Sequence, residues 1–450
     1  MSFKLIFILT VLLLNNNFSQ TQEIIIPTKS QIEWADCEIG VIIHLDINIF
    51  APETFDFNNQ ETLPSLSLFN PSKLNTDQWV KSAKEAGAKY AILTAKHLTG
   101  FTLWPSKVHD YHVGNTPWKN GRGDIVKDFI QSCEKYGIKP GLYYNTNINT
   151  YFGLGFNEIL NEKQQEIFND YTLSQLKELW TQYGEVFEIW FDGGVKSNET
   201  GGIANEVIQL IKKHQPNAIL FQGPIECSNL IRWVGNEDGR APYPHWSRAD
   251  AVTSSLGLVN IPNLHGDPNG KIWCPAEADF PNIKQNAWNG GWLWKANQDS
   301  LFFSVDDLVD RYYTSVGKNA NMLIGMAIDT SGQFPETAEN IFFEFGKEIS
   351  RQFGNSLAST SFNGETVELK ISDSPQEIKN VVIQEDISKG ERVRKYCVEA
   401  FVNENWKIIA EGISIGHKRI HKIDNLITTK IKLNILENID EPIIKQFAVF

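Results

Sequence analysis

Short apolar runs of strand length recur eight times between residues 40 and 325, each followed by a segment of helical periodicity. They fall at 40–44, 90–97, 140–144, 188–192, 218–221, 232–237, 271–277 and 321–325. Helical patterns lie at about 76–87, 125–136, 161–183 and 306–317, the first with Thr76 and Asp77 as candidate caps and Gly87 at its end. Eight strands alternating with helices over this length is the count of a (β/α)8 TIM-like barrel. In that fold the carboxyl ends of the strands meet at one mouth, so side chains far apart in sequence share a pocket. Polar residues close six of the runs: His44, His97, Tyr144, Asp192, Glu237 and Glu277.

Near residue 355 the period changes. Runs at 367–371, 380–384, 395–400, 406–410 and 427–433 read as strands with turn residues between them. That pattern predicts a C-terminal all-β sandwich. At the other end, Lys4 precedes a mostly apolar run from 5 to 14 and then a polar stretch ending Ser19-Gln20. This is the layout of a signal peptide, too short to span a bilayer comfortably. The expected organisation is therefore a leader at 1–20, a catalytic barrel at 21–350 and a sandwich at 355–450. The exported chain would reside in the periplasm or outside the cell, with no membrane insertion of its mature part. A formal net charge of −13 argues against nucleic acid or an anionic membrane as partner. Five widely spaced cysteines form neither a disulfide framework nor a zinc motif, and read as buried free thiols.

The segment Glu188-Ile189-Trp190-Phe191-Asp192-Gly193-Gly194 is an apolar strand that delivers one carboxylate and then two glycines to a loop. Ile231-Arg232-Trp233-Val234-Gly235-Asn236-Glu237 repeats the device. Two carboxylates presented this way suggest glycoside hydrolysis, in which one attacks and the other shuttles a proton. Asp192 is the candidate nucleophile; the structural alternative is an Asp that caps the following turn. Glu237 is the candidate acid/base, with a salt-bridged loop residue as its alternative. Glu277 is a rival acid, or a group that orients its neighbours. His44 and His97 suit hydrogen bonding to sugar hydroxyls, and neither has a second ligand at metal spacing. Tyr144, Trp190 and Trp233 could stack on a sugar or line the barrel, and the chain is rich in Trp, with 13. The run 288–294, containing Trp288, Trp292 and Trp294, reads as a loop after the seventh strand, placed either on the leaving-group side or in the core.

At these residues the chain resembles the α-L-fucosidases of glycoside hydrolase family 29. The matching segments include Ala95-Lys96-His97 with Gly100-Phe101, Leu103-Trp104-Pro105, Gly123-Asp124-Ile125-Val126, Trp190-Phe191-Asp192-Gly193 and Ser315-Val316-Gly317-Lys318-Asn319. Segments 385–390 and 415–420 are similar to that family's C-terminal β-sandwich. The resemblance implies a retaining double displacement on terminal α-L-fucose, with Asp192 in the nucleophile position and no metal or organic cofactor. The segment 232–237 looks like the version in the subgroup acting on α-1,3/1,4-linked fucose, which raises Glu237 above Glu277 as acid/base. His44, His97, Tyr144 and Trp190 fall on positions resembling fucose-binding residues; Arg232, Trp233, Glu277 and Trp294 complete the expected binding set.

Two departures stand out. Many members read His-Phe-Gly where this chain has His44-Leu45-Asp46. Many read Lys-His-His-Asp-Gly-Phe where it has Lys96-His97-Leu98-Thr99-Gly100-Phe101. Leu98 removes a hydrogen-bonding group from the expected pocket, which leaves a modified or fucose-related sugar as an alternative substrate. A non-catalytic carbohydrate-binding protein is a further alternative. The expected partner is a fucosylated oligosaccharide or glycan.

Overall fold

The computed structural model describes residues 23–155, 159–254, 258–284 and 291–450; the expected leader lies outside them. Eight parallel strands close into a barrel in chain order: β1 (Ile39–His44), β2 (Tyr90–Lys96), β3 (Lys139–Asn145), β4 (Glu188–Asp192), β5 (Ile219–Phe221), β6 (Leu230–Trp233), β7 (Ala276–Phe280) and β8 (Ala320–Ala327). β8 seals the barrel against β1, pairing Leu323 with Gly40. All six residues of β1 are buried, as expected of parallel strands covered on both faces.

Helices α1 (Lys29–Ala35), α2 (Thr76–Glu85), α3 (Ile125–Tyr136), α4 (Glu162–Gln182), α5 (Ala204–His214), α6 (Val305–Thr314) and α7 (Glu336–Phe353) accompany the strands. The caps explain the boundaries. Asp124 accepts from the Lys127 N–H at the start of α3, and Gly137 ends it at φ 69°, a left-handed conformation suited to glycine. The cap of α2 is Asn75 rather than Thr76 or Asp77, and Thr76 is buried against Ser132. Among the described residues no helix is long and apolar enough to cross a membrane.

Two barrel strands sit elsewhere than their apolar runs suggest. β6 stops at Trp233; Gly235, at φ 95°, then turns the chain, and Glu237 stands on the loop beyond. In the seventh run, Ile272–Trp273 pairs antiparallel with Arg248–Ala249 outside the barrel, and β7 begins only after Pro275, which has no N–H to donate. Among the described residues no helix separates β5 from β6, or β6 from β7.

Strand period divides the core in two. Ile42, Tyr90, Ile92, Tyr143, Trp190, Phe221, Ile231 and Leu323 fill the barrel, with Trp34 of α1 among them. Val41, Ile43, Leu93, Tyr144, Ile189 and Phe191 face the helices. A β-bulge between Thr94 and Lys96 interrupts the alternation at the end of β2.

After α7 come β9 (Ala358–Asn363), β10 (Thr366–Lys370), β11 (Gln376–Glu385), β12 (Val393–Val402), β13 (Asn405–Gly412), β14 (Arg419–Thr428), β15 (Lys430–Asn438) and β16 (Ile443–Val449). They form two four-stranded antiparallel sheets, ordered β9-β16-β11-β14 and β10-β15-β12-β13, around a shared apolar core. The single run expected at 427–433 is in fact the end of β14 and the start of β15, broken at Thr429. Glu391, between β11 and β12, locks the sheets to the barrel. Its buried carboxylate accepts from the Ser247 N–H at 2.9 Å and the Asn319 amide at 2.8 Å.

Candidate active site

The carboxyl ends of the strands surround a cavity of about 610 Å³. β4 points Glu188, Trp190 and Asp192 inward and Ile189 and Phe191 outward, so strand period alone carries Asp192 to the mouth. Both hydrogen bonds on its carboxylate fall on Oδ2, from the Tyr143 hydroxyl at 2.5 Å and the Asn145 amide at 2.7 Å. Among the described residues none is made to Oδ1. One oxygen is therefore anchored while the other stays available. Burial raises the Asp192 pKa, opposed by the Tyr143 hydrogen bond and the charge of Lys96.

Glu237 lines the same cavity from the loop after β6. Burial raises its pKa and the charge of Asp192 raises it further, against a hydrogen bond from Trp292. This carboxyl is thus biased toward carrying a proton while facing another carboxylate. Asp279, on β7, is a third acid on the cavity wall; burial and the nearby Glu237 and Glu277 push its pKa well above the usual carboxylate range.

The walls are aromatic. Tyr143 stacks on Trp190 at 5.3 Å and Trp190 on Phe221 at 3.8 Å, while His97 stacks on Tyr143 at 5.5 Å. Trp292 stacks on His44 at 5.0 Å. Such a lining offers ring faces and a few directional polar groups, which suits a sugar. Behind the wall, buried Lys96 donates to the Asn145 and Ile148 carbonyls at 2.7 and 2.9 Å, tying down the end of β3, which presents Asn145 to Asp192, and the loop that follows. Burial lowers the Lys96 pKa to about 7. Among the described residues no group of three or more His, Cys, Asp or Glu is placed to hold a metal ion.

The structure brings His44, His97, Trp190, Asp192, Glu237 and Trp294 to one cavity. Four other expected residues lie apart from it. Tyr144 faces α4 and donates to Gln175 at 2.7 Å; its neighbour Tyr143 is the one turned inward. Arg232 also faces away from the barrel interior, where it binds the Cys274 and Trp246 carbonyls and His245. Trp233 supports the wall indirectly, donating to Asp279 at 2.7 Å. Glu277 sits deeper in the barrel, accepting from Tyr90 at 2.5 Å and from the Trp190 indole at 2.9 Å, so it orients the aromatic floor. Asn145 and Asp279 were not anticipated; strict alternation from Glu277 would have put Asp279 on the inner face. Trp292 lay within the expected Trp-rich loop, whereas Trp288 is outside the described residues.

Paired carboxylates on one cavity above the carboxyl ends of a β/α barrel are the equipment of a glycoside hydrolase. Comparison with known proteins agrees. Residues 19–237 match the family model described as Alpha-L-fucosidase. The chain is 29% identical over 465 aligned residues to Alpha-L-fucosidase 1 of Arabidopsis thaliana, covering 94% of this chain and 87% of that one. It is 30% identical to a solved glycoside hydrolase 29 family member from an unknown rumen bacterium, at TM-score 0.81, covering 95% of this chain and 77% of the other. A solved Bacteroides thetaiotaomicron protein, provisionally assigned as an alpha-L-fucosidase, is 34% identical at TM-score 0.87, covering 95% and 99% of the two chains. The chain belongs to the alpha-L-fucosidases of glycoside hydrolase family 29. Membership in this family of hydrolases sets aside the reading as a non-catalytic binding protein.

Proposed function

We propose that this enzyme is an exported, retaining exo-α-L-fucosidase that removes terminal fucose, α-1,3/1,4-linked, from branched oligosaccharides or glycans. In the first half-reaction the free Oδ1 of Asp192 attacks the anomeric carbon while Glu237 gives its proton to the departing glycosidic oxygen. In the second, Glu237 takes a proton from water, which releases fucose from the Asp192 ester. The observation that carries this reading is the asymmetry of the pair. Asp192 has one oxygen anchored by Tyr143 and Asn145, and across the same cavity Glu237 is pushed toward its protonated form. His44, His97 and Trp190 supply the polar and flat contacts for the glycone. The apolar leader at 5–14 supports export to the periplasm or the medium.

A test is labelling with a 2-fluoro fucosyl donor, followed by peptide mapping: the adduct is expected on Asp192. Asp192→Ala is expected to lower kcat on an aryl α-L-fucoside by a factor on the order of 10⁴. Unchanged turnover would remove Asp192 as nucleophile. A fucose-related sugar is the second reading, favoured by Leu98 on the cavity wall. A panel of α-1,2-, α-1,3-, α-1,4- and α-1,6-fucosylated oligosaccharides, with the released sugars identified, separates the two and reads the linkage.

A further inference from the structure

His44 and His97 meet edge to face at 5.4 Å in the cavity wall, and burial lowers the pKa of both far below the ordinary imidazole value. Both rings are therefore neutral at neutral pH, each with one N–H and one bare nitrogen. What His97 offers a ligand depends on which nitrogen holds the proton. Its Nδ1 is buried, has no hydrogen-bond partner among the described residues and faces Asp46 Oδ2 at 3.7 Å. Asp46 is 1% exposed. Its Oδ1 is occupied, accepting from the Ile47 N–H at 2.7 Å and the Thr99 hydroxyl at 2.6 Å. Among the described residues Oδ2 accepts only a long hydrogen bond, 3.4 Å, from the Thr99 N–H, and so keeps acceptor capacity toward His97.

We propose that Asp46 is a positioning residue whose Oδ2 holds the His97 proton on Nδ1, so that Nε2 meets the substrate as a bare acceptor for one sugar hydroxyl. The 3.7 Å gap is of the kind that tightens once a ligand fills an active site. The placement of a sugar against His97 rests on the function proposed above; the tautomer does not.

The test uses the full chain labelled with ¹⁵N-histidine. His97 is assigned by its loss in His97→Gln, and NMR reads its tautomer at pH 8, above the Asp46 pKa of about 7 that burial produces. The wild type is expected to show Nδ1–H. In Asp46→Asn the amide oxygen stays with Ile47 and Thr99, which turns the NH₂ toward Nδ1. The tautomer should invert to Nε2–H, and kcat/KM on an aryl α-L-fucoside should fall about tenfold through KM, the loss of one hydrogen bond. The double exchange Asp46→Thr with Thr99→Asp returns a carboxylate to the same place while a threonine still caps residues 47–50, and should restore Nδ1–H. An Nε2–H signal in the wild type, or an unchanged tautomer in Asp46→Asn, would overturn the inference. Should Asp46→Asn not fold, the wild-type and exchange spectra decide. If the tautomer follows the carboxylate but the wild type cleaves no fucoside, the substrate reading fails and the role of Asp46 stands.

Discussion

Asp192 and Glu237 need opposite protonation states, and the cavity raises the pKa of both for related reasons. Burial disfavours each charge, and Asp192 further disfavours charge on Glu237. Activity is lost as pH falls through the raised Asp192 pKa, because the nucleophile takes up a proton. It is lost as pH rises through the raised Glu237 pKa, because the acid gives its proton up. The kcat/KM profile should therefore be a bell with both limbs above the ordinary carboxylate values. Glu237→Gln should abolish the alkaline limb on an activated aryl fucoside, whose leaving group needs no protonation. A profile that keeps that limb would assign it to another group, with Asp279 the nearest candidate.

At the scale of the element, one residue of strand register separates a catalytic neighbour from a packing residue. β3 turns Tyr143 into the barrel, where its hydroxyl bonds Asp192, and Tyr144 toward α4, where it bonds Gln175. Tyr143→Phe should lower kcat severalfold or more and shift the acid limb upward, since a hydrogen bond that favours the Asp192 anion is gone. Tyr144→Phe should leave kcat intact and cost about 1 kcal/mol in denaturant unfolding. The inner faces of β4 and β7 carry a second consequence. Buried Glu188 and Glu277 face each other; burial raises both pKa values, the charge of Glu277 raises that of Glu188 further, and hydrogen bonds with Tyr90, Trp190 and Glu188 oppose the rise at Glu277. Raised folded-state values mean that the stabilisation is complete below the unfolded carboxyl pKa and is lost as pH rises through the folded one, about 7 for Glu277. The wild type should thus lose stability between about pH 5 and pH 8. Glu188→Gln should flatten that slope by on the order of 1–3 kcal/mol, read from unfolding midpoints at the two pH values.

For the whole molecule, the sheets and the barrel share buried polar links rather than apolar contact alone. Glu391 enters from the sandwich side and satisfies Ser247 and Asn319 of the barrel, while Tyr313 of α6 donates to Asn380 of β11 at 2.8 Å. Glu391→Ala leaves the buried Ser247 N–H without its acceptor and takes the shortest of three acceptors from the Asn319 amide, at a cost of about 1–3 kcal/mol. Calorimetry should show one unfolding transition in the wild type, and in the variant a transition that is lowered or split in two.

Much of this architecture could be read from the chain. β4 falls on its apolar run, the alternation of strand and helix implied a closed parallel barrel, and the change of period near 355 marked a different, all-β region. These features follow from local periodicity, which sequence records directly. Residues 232–237 and 271–277 misled because an apolar run does not mark where pairing stops; Gly235 and Pro275 ended or delayed the strands. Tyr144 ends its apolar run one residue beyond Tyr143, and in a period of two that single step reverses the face. The chain itself determined that Asp192 ends a buried barrel strand. Only the tertiary structure decided what stands around it: Tyr143 and Asn145 on one oxygen, Glu237 reaching in from a loop, and Asp46 behind His97. Those contacts join separate β/α units, and their distances are set by barrel closure rather than by spacing along the sequence.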